Sequence, residues 1–412
     1  MFLIFQIVVT LALLGIQLYF FRAVSHYLAG HQKPRWAARS VTALFLIFNI
    51  PLIPLLIVRP QLSQWPQWLI NDSVFPFYIW HFSIFLLFLG VIVAQLLRLP
   101  VVSAIWLMKK FGPPDRASLH DSSADGKYDS RRRIFIRRGA TIVAGAAFTG
   151  SAYGAFRRDE YELTEISIPI PNLPDEFHGF TIAFLSDIHS SVFMSKEQMQ
   201  RYVDAVNALH PDLVTVTGDF VNSALDEVYP FAETFSGLKA PHGVYGVLGN
   251  HDYYTRQVDR VAREVDDCGV KLLRNDMITI EKNHQKLTLA GVDDVGNATR
   301  AARLMDTSIA GADAKIPKIL MCHRPYFFEQ AEERKFALTL SGHTHGGQIV
   351  FGRIGSDVIA PARVASPYVA GLYTINDSKM YVSRGIGTVG VPIRINCPPE
   401  ITKITLIKRN AV

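Results

Sequence analysis

With 412 residues, 49% of them hydrophobic and only 19% charged, the chain is too long for one ordinary domain and too apolar to be soluble throughout. Its net charge of +6 is unevenly spread: up to Arg138 there are 15 Lys+Arg against 5 Asp+Glu, an excess of +10, and beyond it 27 against 31, a balance of −4. A mildly acidic remainder lacks the basic footprint of a DNA- or RNA-binding domain, which excludes nucleic acid as a partner.

Three apolar runs, Phe2–Phe21, Val41–Val58 and Val74–Leu97, reach the length of about 20 helical residues that crosses a bilayer. His81, beside Trp80 near the expected interface, reads as an ordinary boundary residue. A fourth, weaker run, Gly139–Phe156, follows the basic stretch Arg131, Arg132, Arg133, Arg137 and Arg138. Arg132-Arg133-Ile134-Phe135-Ile136-Arg137 resembles a twin-arginine export signal, although it is internal; a positive-inside anchor for a weak transmembrane helix is the other reading. The expected organisation is a membrane region with three helices over 1–108, a basic cytoplasmic linker over 109–138, a fourth transmembrane or signal-anchor helix over 139–156, and a globular domain over 160–412. A multi-pass inner-membrane protein is expected; the Lys/Arg bias of the loops orients it so that the globular domain is extracytoplasmic if the fourth run crosses, the expected case, and cytosolic if it does not.

From about Glu160 the texture changes to short β-branched runs alternating with amphipathic helices, the pattern of an α/β domain. Strands are expected at Phe180–Leu185, Leu213–Thr217, Val244–Leu248, Ile319–Met321 and Leu338–Leu340. Helices are expected at Ser195–Leu209, with Ser195 and Gln198 forming a capping box, and at Gln257–Asp267, closed by Gly269.

Each of those strands runs directly into potential metal ligands: Asp187 and His189; Asp219 after Gly218; Asn250, His251 and Asp252 after Gly249; His323; and His343 and His345 after Gly342. The carboxyl ends of strands in an open α/β sheet form a ligand crevice, so the clusters should converge. Leaving aside His251 and Asp252, two carboxylates, one carboxamide and four imidazoles exceed the needs of a single metal with an open position, and suit two ions sharing a carboxylate. Nitrogen and oxygen donors without a thiolate favour Mn, Fe, Zn or Co. Such a pair performs in-line displacement at phosphorus, the hydrolysis of a phosphate ester. The three cysteines, Cys268, Cys322 and Cys397, are scattered, which argues against a disulfide framework; Cys322 should face away from His323 into the core.

The order Asp187-x-His189, Gly218-Asp219, Gly249-Asn250-His251, His323, Gly342-His343-x-His345 is similar to the five-part signature of calcineurin-like metallophosphoesterases. Gly346-Gly347-Gln348, Ser383-Arg384-Gly385-Ile386-Gly387 and Asn396-Cys397-Pro398-Pro399-Glu400 resemble the membrane-associated branch, which includes twin-arginine-exported and multi-span transmembrane members. The resemblance implies a sandwich of mixed sheets flanked by helices. It implies one metal on Asp187, His189 and His345, another on Asn250, His323 and His343, Asp219 bridging them, and His251 contacting the phosphate or protonating the leaving oxygen. Asp252 would orient His251 or cap the following turn. Two departures stand out. Many members carry an acid three residues after the bridging Asp, followed by Arg, where this sequence has Asn222 and Ser223; an amide does not stabilise an imidazolium as a carboxylate does. The usual Pro-Asp after the histidine is displaced by Arg324-Pro325-Tyr326, with Arg324 expected as a solvated surface residue in preference to a ligand of the substrate phosphate.

The expected function is a membrane-anchored two-metal phosphohydrolase acting on a phosphodiester or pyrophosphate of a lipid-linked or small-molecule substrate, UDP-diacylglucosamine-like lipids being the precedent within the resemblance. Membrane lipids are its expected surroundings, and no protein partner is expected. The alternative is a metal-stabilised binding or signalling module with feeble hydrolysis.

Overall fold

A computed structural model describes residues 2–52, 65–111, 122–354 and 357–409, which fall into two units, Met1–Tyr153 and Gly154–Val412. The first unit is helical: α1 (Phe2–Gly30), α2 (Arg35–Asn49), α3 (Phe75–Phe111) and most of α4 (Ser122–Phe156). Among the described residues, Ile7–Gly30 and Gln67–Met108 are long and apolar enough to cross a membrane. Trp80 stacks on Phe48 at 4.5 Å between ring centroids and donates its indole N–H to Gln17 at 3.0 Å, tying α1, α2 and α3 together. His81 bonds to the Phe77 carbonyl within its own helix, at 2.9 Å. The run expected at Val41–Val58 is only partly visible: α2 starts earlier, at Arg35, and stops at Asn49 ahead of Pro51, and residues 53–64 lie outside the described ones. The stretch expected as a linker is helical from Ser122. With no proline between Ser122 and Phe156 and several strong helix formers among its Ala, Arg and Lys residues, α4 passes through the arginines unbroken.

The second unit carries two six-stranded mixed sheets. The first runs in the order β1 (Glu162–Ile170), β14 (Glu400–Lys408), β2 (Thr181–Leu185), β3 (Leu213–Thr217), β4 (Val244–Val247), β5 (Lys271–Leu272). The second runs β12 (Gly371–Ile375), β13 (Ser378–Val382), β9 (Leu338–Ser341), β8 (Lys318–Met321), β7 (Gln285–Gly291), β6 (Asp276–Lys282). In the first, β2, β3, β4 and β5 are mutually parallel; in the second, β7, β8, β9 and β13 are.

Side-chain alternation stacks these sheets into four layers. Ile182 and Phe184 of β2 meet Leu213 and Val247 from the same sheet and Leu338 and Leu340 from the other in a core between the sheets. Ala183 and Leu185 turn the other way, onto Val203 of α5 (Lys196–Ala208), Phe231 of α6 (Val228–Phe235) and Val265 of α8 (Val258–Asp267). In the second sheet Ile319 and Met321 join the inter-sheet core, whereas Leu320 and Cys322 face Ala301 and Met305 of α9 (Ala298–Ser308) and Ala331 of α10 (Phe328–Glu333). Strands covered on both faces have no polar side, which is why they read as continuous apolar runs. The capping box forms at Ser195 and Gln198.

All five expected strands are present, but they do not line one open sheet. Three belong to the first sheet and two to the second, and their carboxyl ends meet across the layer boundary. A short ribbon, β10 (Gly352–Ile354) and β11 (Asp357–Ile359), stands apart from both sheets.

Candidate active site

Asp187 and His189 follow β2, Asp219 follows β3, Asn250 and His251 open the short helix α7 (Asn250–Tyr254) after β4, His323 follows β8, and His343 and His345 follow β9. The fold brings all eight together. His189 Nε2 and His345 Nε2 face each other at 3.0 Å, and His345 Nε2 is 3.6 Å from Asp187 Oδ1. His323 Nε2 is 3.2 Å from both Asn250 Oδ1 and His343 Nδ1. Asp219 Oδ2 lies between the two groups, 3.5 Å from His189 Nε2 and 3.3 Å from His323 Nε2. The His251 ring stands edge-on to that of His189, with centroids 4.6 Å apart.

Five of these residues adopt left-handed backbone: Asp187, His189, Asp219, His343 and His345 have φ of 51°, 47°, 54°, 71° and 51°. Asp and His tolerate this region better than most residues, and its use at five ligand-type positions curls each strand end so that the side chain points inward. Glycines make room for the loops. Gly218, itself at φ 80°, has Gly249 N, Gly249 Cα and His323 Nδ1 within 2.8 Å of where a Cβ would sit, and Gly342 lies against Ser186 and Asp187.

The hydrogen bonds around the cluster orient it. His323 Nδ1 donates to the Thr217 carbonyl at 2.8 Å, leaving Nε2 directed inward. Ser186 Oγ donates to Asp187 Oδ2 at 2.6 Å and accepts from Thr217 Oγ1, while the His343 N–H reaches both Asp187 oxygens at 3.0 Å. Asn250 Nδ2 donates to the Tyr254 hydroxyl, which turns Oδ1 toward His323. The Ser383–Gly387 stretch braces the same wall, since Ile386 N donates to Ser186 O and Gly387 N to Asp187 O. Buried Arg394 in turn binds the carbonyls of Arg384, Gly385, Gly387 and Cys397.

Burial sets the charge states. It pushes His189 down to about 3 and His343 to about 2, and holds His345 well below the ordinary imidazole range, so these rings are neutral and offer lone pairs. At His323 burial acts downward too, but the Asp219 carboxylate overrides it and raises the imidazole to about 10. Burial likewise lifts Asp187 to about 6. At Asp219, burial alone would raise the carboxyl, and His323 instead holds it well below the usual range. Neutral His189, His343 and His345 converging on carboxylates at these distances are a donor set suited to divalent ions, and His323 would give up a proton to join them. The Nδ1 atoms of His189 and His345, buried without hydrogen-bond partners, are the polar loose ends of that arrangement.

Asp252 does not orient His251. It accepts from Gly249 N and Asp219 N on one oxygen and Val221 N on the other, capping its own helix and tying two loops together; burial raises it to about 8. Arg324 is not a solvated residue either: it is partly buried in a two-pronged ion pair with Asp294, at 2.6 and 2.8 Å. Cys322 sits in the outer core, as its alternation with His323 requires. Sequence reasoning passed over Ser186, although its place beside Asp187 was a signal, and it passed over Glu227 and Arg394, whose partners are revealed only by the fold.

The model of the calcineurin-like phosphoesterase family matches residues 180–347. A transmembrane protein with metallophosphoesterase domain from Danio rerio is 32% identical over 257 residues, covering 60% of this chain and 57% of that one. The uncharacterized metallophosphoesterase YkuE of Bacillus subtilis (strain 168) is 30% identical over 291 residues, covering 68% of this chain and 99% of that one. Phosphodiesterase YaeI of Escherichia coli (strain K12) is 27% identical over 284 residues, again covering 68% and 99%. The chain belongs to the calcineurin-like metallophosphoesterases. It matches little more than half the length of the Danio rerio relative.

Proposed function

We propose that the chain is a membrane-anchored two-metal phosphohydrolase that cleaves a phosphodiester or pyrophosphate bond of a lipid-linked substrate. The observation that carries this reading is the position of Asp219 Oδ2, within 3.5 Å of an imidazole from each donor group. Asp187, His189 and His345 would hold one ion, Asn250, His323 and His343 the other, and Asp219 would bridge them. A pair of divalent ions there supplies a polarised water as nucleophile and neutralises charge at phosphorus.

The protein's own residues complete the reaction. His251 delivers a proton to the leaving oxygen as the phosphorus–oxygen bond breaks. Its Nδ1 donates to the Asn222 carbonyl, which fixes the ring orientation and keeps that nitrogen protonated while Nε2 works. The diester preference draws on the similarity to phosphodiesterase YaeI of Escherichia coli. The lipid preference draws on the β10–β11 ribbon, which begins seven residues after His345. Ile354 and Ile359 share its outer face at 73% and 47% exposure, and Val364 beyond it is 94% exposed. With Gly139–Phe156 crossing, the domain is extracytoplasmic, a topology that protease accessibility in sealed vesicles would test.

The test of function uses the full chain in detergent, stripped by chelator and resupplied with Mn, Zn, Co, Fe or Mg. It is offered aryl phosphate monoesters and diesters and nucleotide-linked lipids. Metal-dependent cleavage that disappears in Asp219→Ala supports the reading. A folded protein that holds two ions yet cleaves nothing on the panel overturns it.

A further inference from the structure

We propose that Glu227 is a positioning residue for His251, replacing the missing carboxylate partner with a hydrogen-bond relay through the main chain; the proposal rests on the phosphohydrolase reading above. Three successive backbone N–H groups, those of Asn222, Ser223 and Ala224, converge on the single oxygen Glu227 Oε2 at 2.9, 2.7 and 2.9 Å. An anion gathering consecutive amides forms a nest, which locks the intervening peptides in one orientation. The carbonyl fixed by that lock is Asn222 O, the acceptor of His251 Nδ1–H. A carbonyl has no formal charge, so it orients an imidazole only as well as its own peptide is held, and Glu227 does the holding.

Three further contacts show that the loop is anchored on the site side as well. Val221 pairs with Ser190, immediately after His189, and its N–H is taken by Asp252. Asn222 N also approaches the Ser190 carbonyl at 3.3 Å. From Asn222 to Ala224, all three backbone N–H groups turn to Glu227. The relay therefore runs from carboxylate to amides to the Asn222 carbonyl to imidazole. It accounts for how the chain accommodates Asn222 without losing the orientation of the candidate acid. The side chain of residue 222 takes no part, so the amide that departs from the family pattern is neutral to the mechanism.

The test measures aryl phosphodiester cleavage by the full chain over leaving phenols of increasing basicity, because a displaced proton donor matters most for poor leaving groups. Glu227→Ala should lower kcat about 10- to 100-fold for the most basic phenols and less than about threefold for nitrophenol, with KM and metal content unchanged. Glu227→Gln, which keeps an acceptor oxygen, should stay within about threefold of the parent, and so should exposed Asp226→Ala. In a His251→Ala background, Glu227→Ala should add nothing. A uniform loss across all phenols, or loss of metal, makes Glu227 merely structural and overturns the relay. The ¹⁵N spectrum of labelled histidines, with His251 assigned by its absence in His251→Ala, reads the same question without turnover. Glu227→Ala should deplete the Nδ1-protonated form, and an unchanged tautomer overturns the proposal. An inactive parent with a responsive tautomer would instead sink the phosphohydrolase reading and leave the relay standing.

Discussion

Asp219 Oδ1 accepts the main-chain N–H of His251 at 2.8 Å, so the carboxylate set between the two donor groups also pins the first turn of the helix that carries the candidate acid. Its two oxygens therefore have separable duties. Asp219→Asn retains an acceptor for His251 and removes the charge. A loss of about 4 kcal/mol in transition-state stabilisation corresponds to about 10³ in rate, and turnover should fall at least that far. Asp219→Ala should lose the anchor as well, and so unfold at lower temperature than Asp219→Asn. Elemental analysis and thermal melts of the two variants side by side check this.

His251 is proposed as the proton donor and is not among the proposed ligands. Its replacement by alanine should lower kcat by about 10²–10⁴-fold while the metal content stays at the parental value. Metal loss in His251→Ala would instead make it a ligand.

Gly218 permits the loops after β3 and β4 to touch. A methyl group there would press on Gly249 and the His323 ring, on a backbone already at φ 80°. Gly218→Ala should destabilise the domain by about 2 kcal/mol or more through crowding and backbone strain, and displace His323 from its partners. Denaturant unfolding gives the first quantity and metal affinity reports the second.

Much of this site is legible in the sequence because its residues sit where short strands stop, each beside a glycine or another polar residue. Asp219 and His343 are conspicuous for that reason. The division of the strands between two sheets is not legible: Leu213–Thr217 and Leu338–Ser341 are both buried on both faces, and nothing local says which neighbours each will take. Arg324 looks like a free surface cation until Asp294, thirty residues earlier, is folded against it. Asp252 is adjacent to His251 but points away from it, since the opening of a helix directs its side chain to the amides of the preceding loop. The helix through Ser122–Arg138 was hidden by its charge, which reads as a linker although its residues are good helix formers.

Arg394 is buried among carbonyls of the loop that backs Asp187. Arg394→Met would fill similar space and leave four acceptors without that donor, at a cost of about 3 kcal/mol or more. For a unit of this size that corresponds to a fall of about 6–12 °C in Tm. Because Gly387 N holds the Asp187 carbonyl, metal affinity should drop in the same variant, measurable by competition with a chromogenic chelator.

The proposed ligands are contributed by both layers of the sandwich: Asp187, His189, Asp219 and Asn250 from the ends of the first sheet, His323, His343 and His345 from the second. Filled with ions, the centre would act as a clasp between two halves of the chain that are far apart in sequence, as a cross-link does when it closes a long loop. Neither sheet could melt while the other kept the ions. Release of metal to an indicator dye should then coincide with cooperative unfolding of the whole globular unit, and the dye signal would serve as a clock for that event.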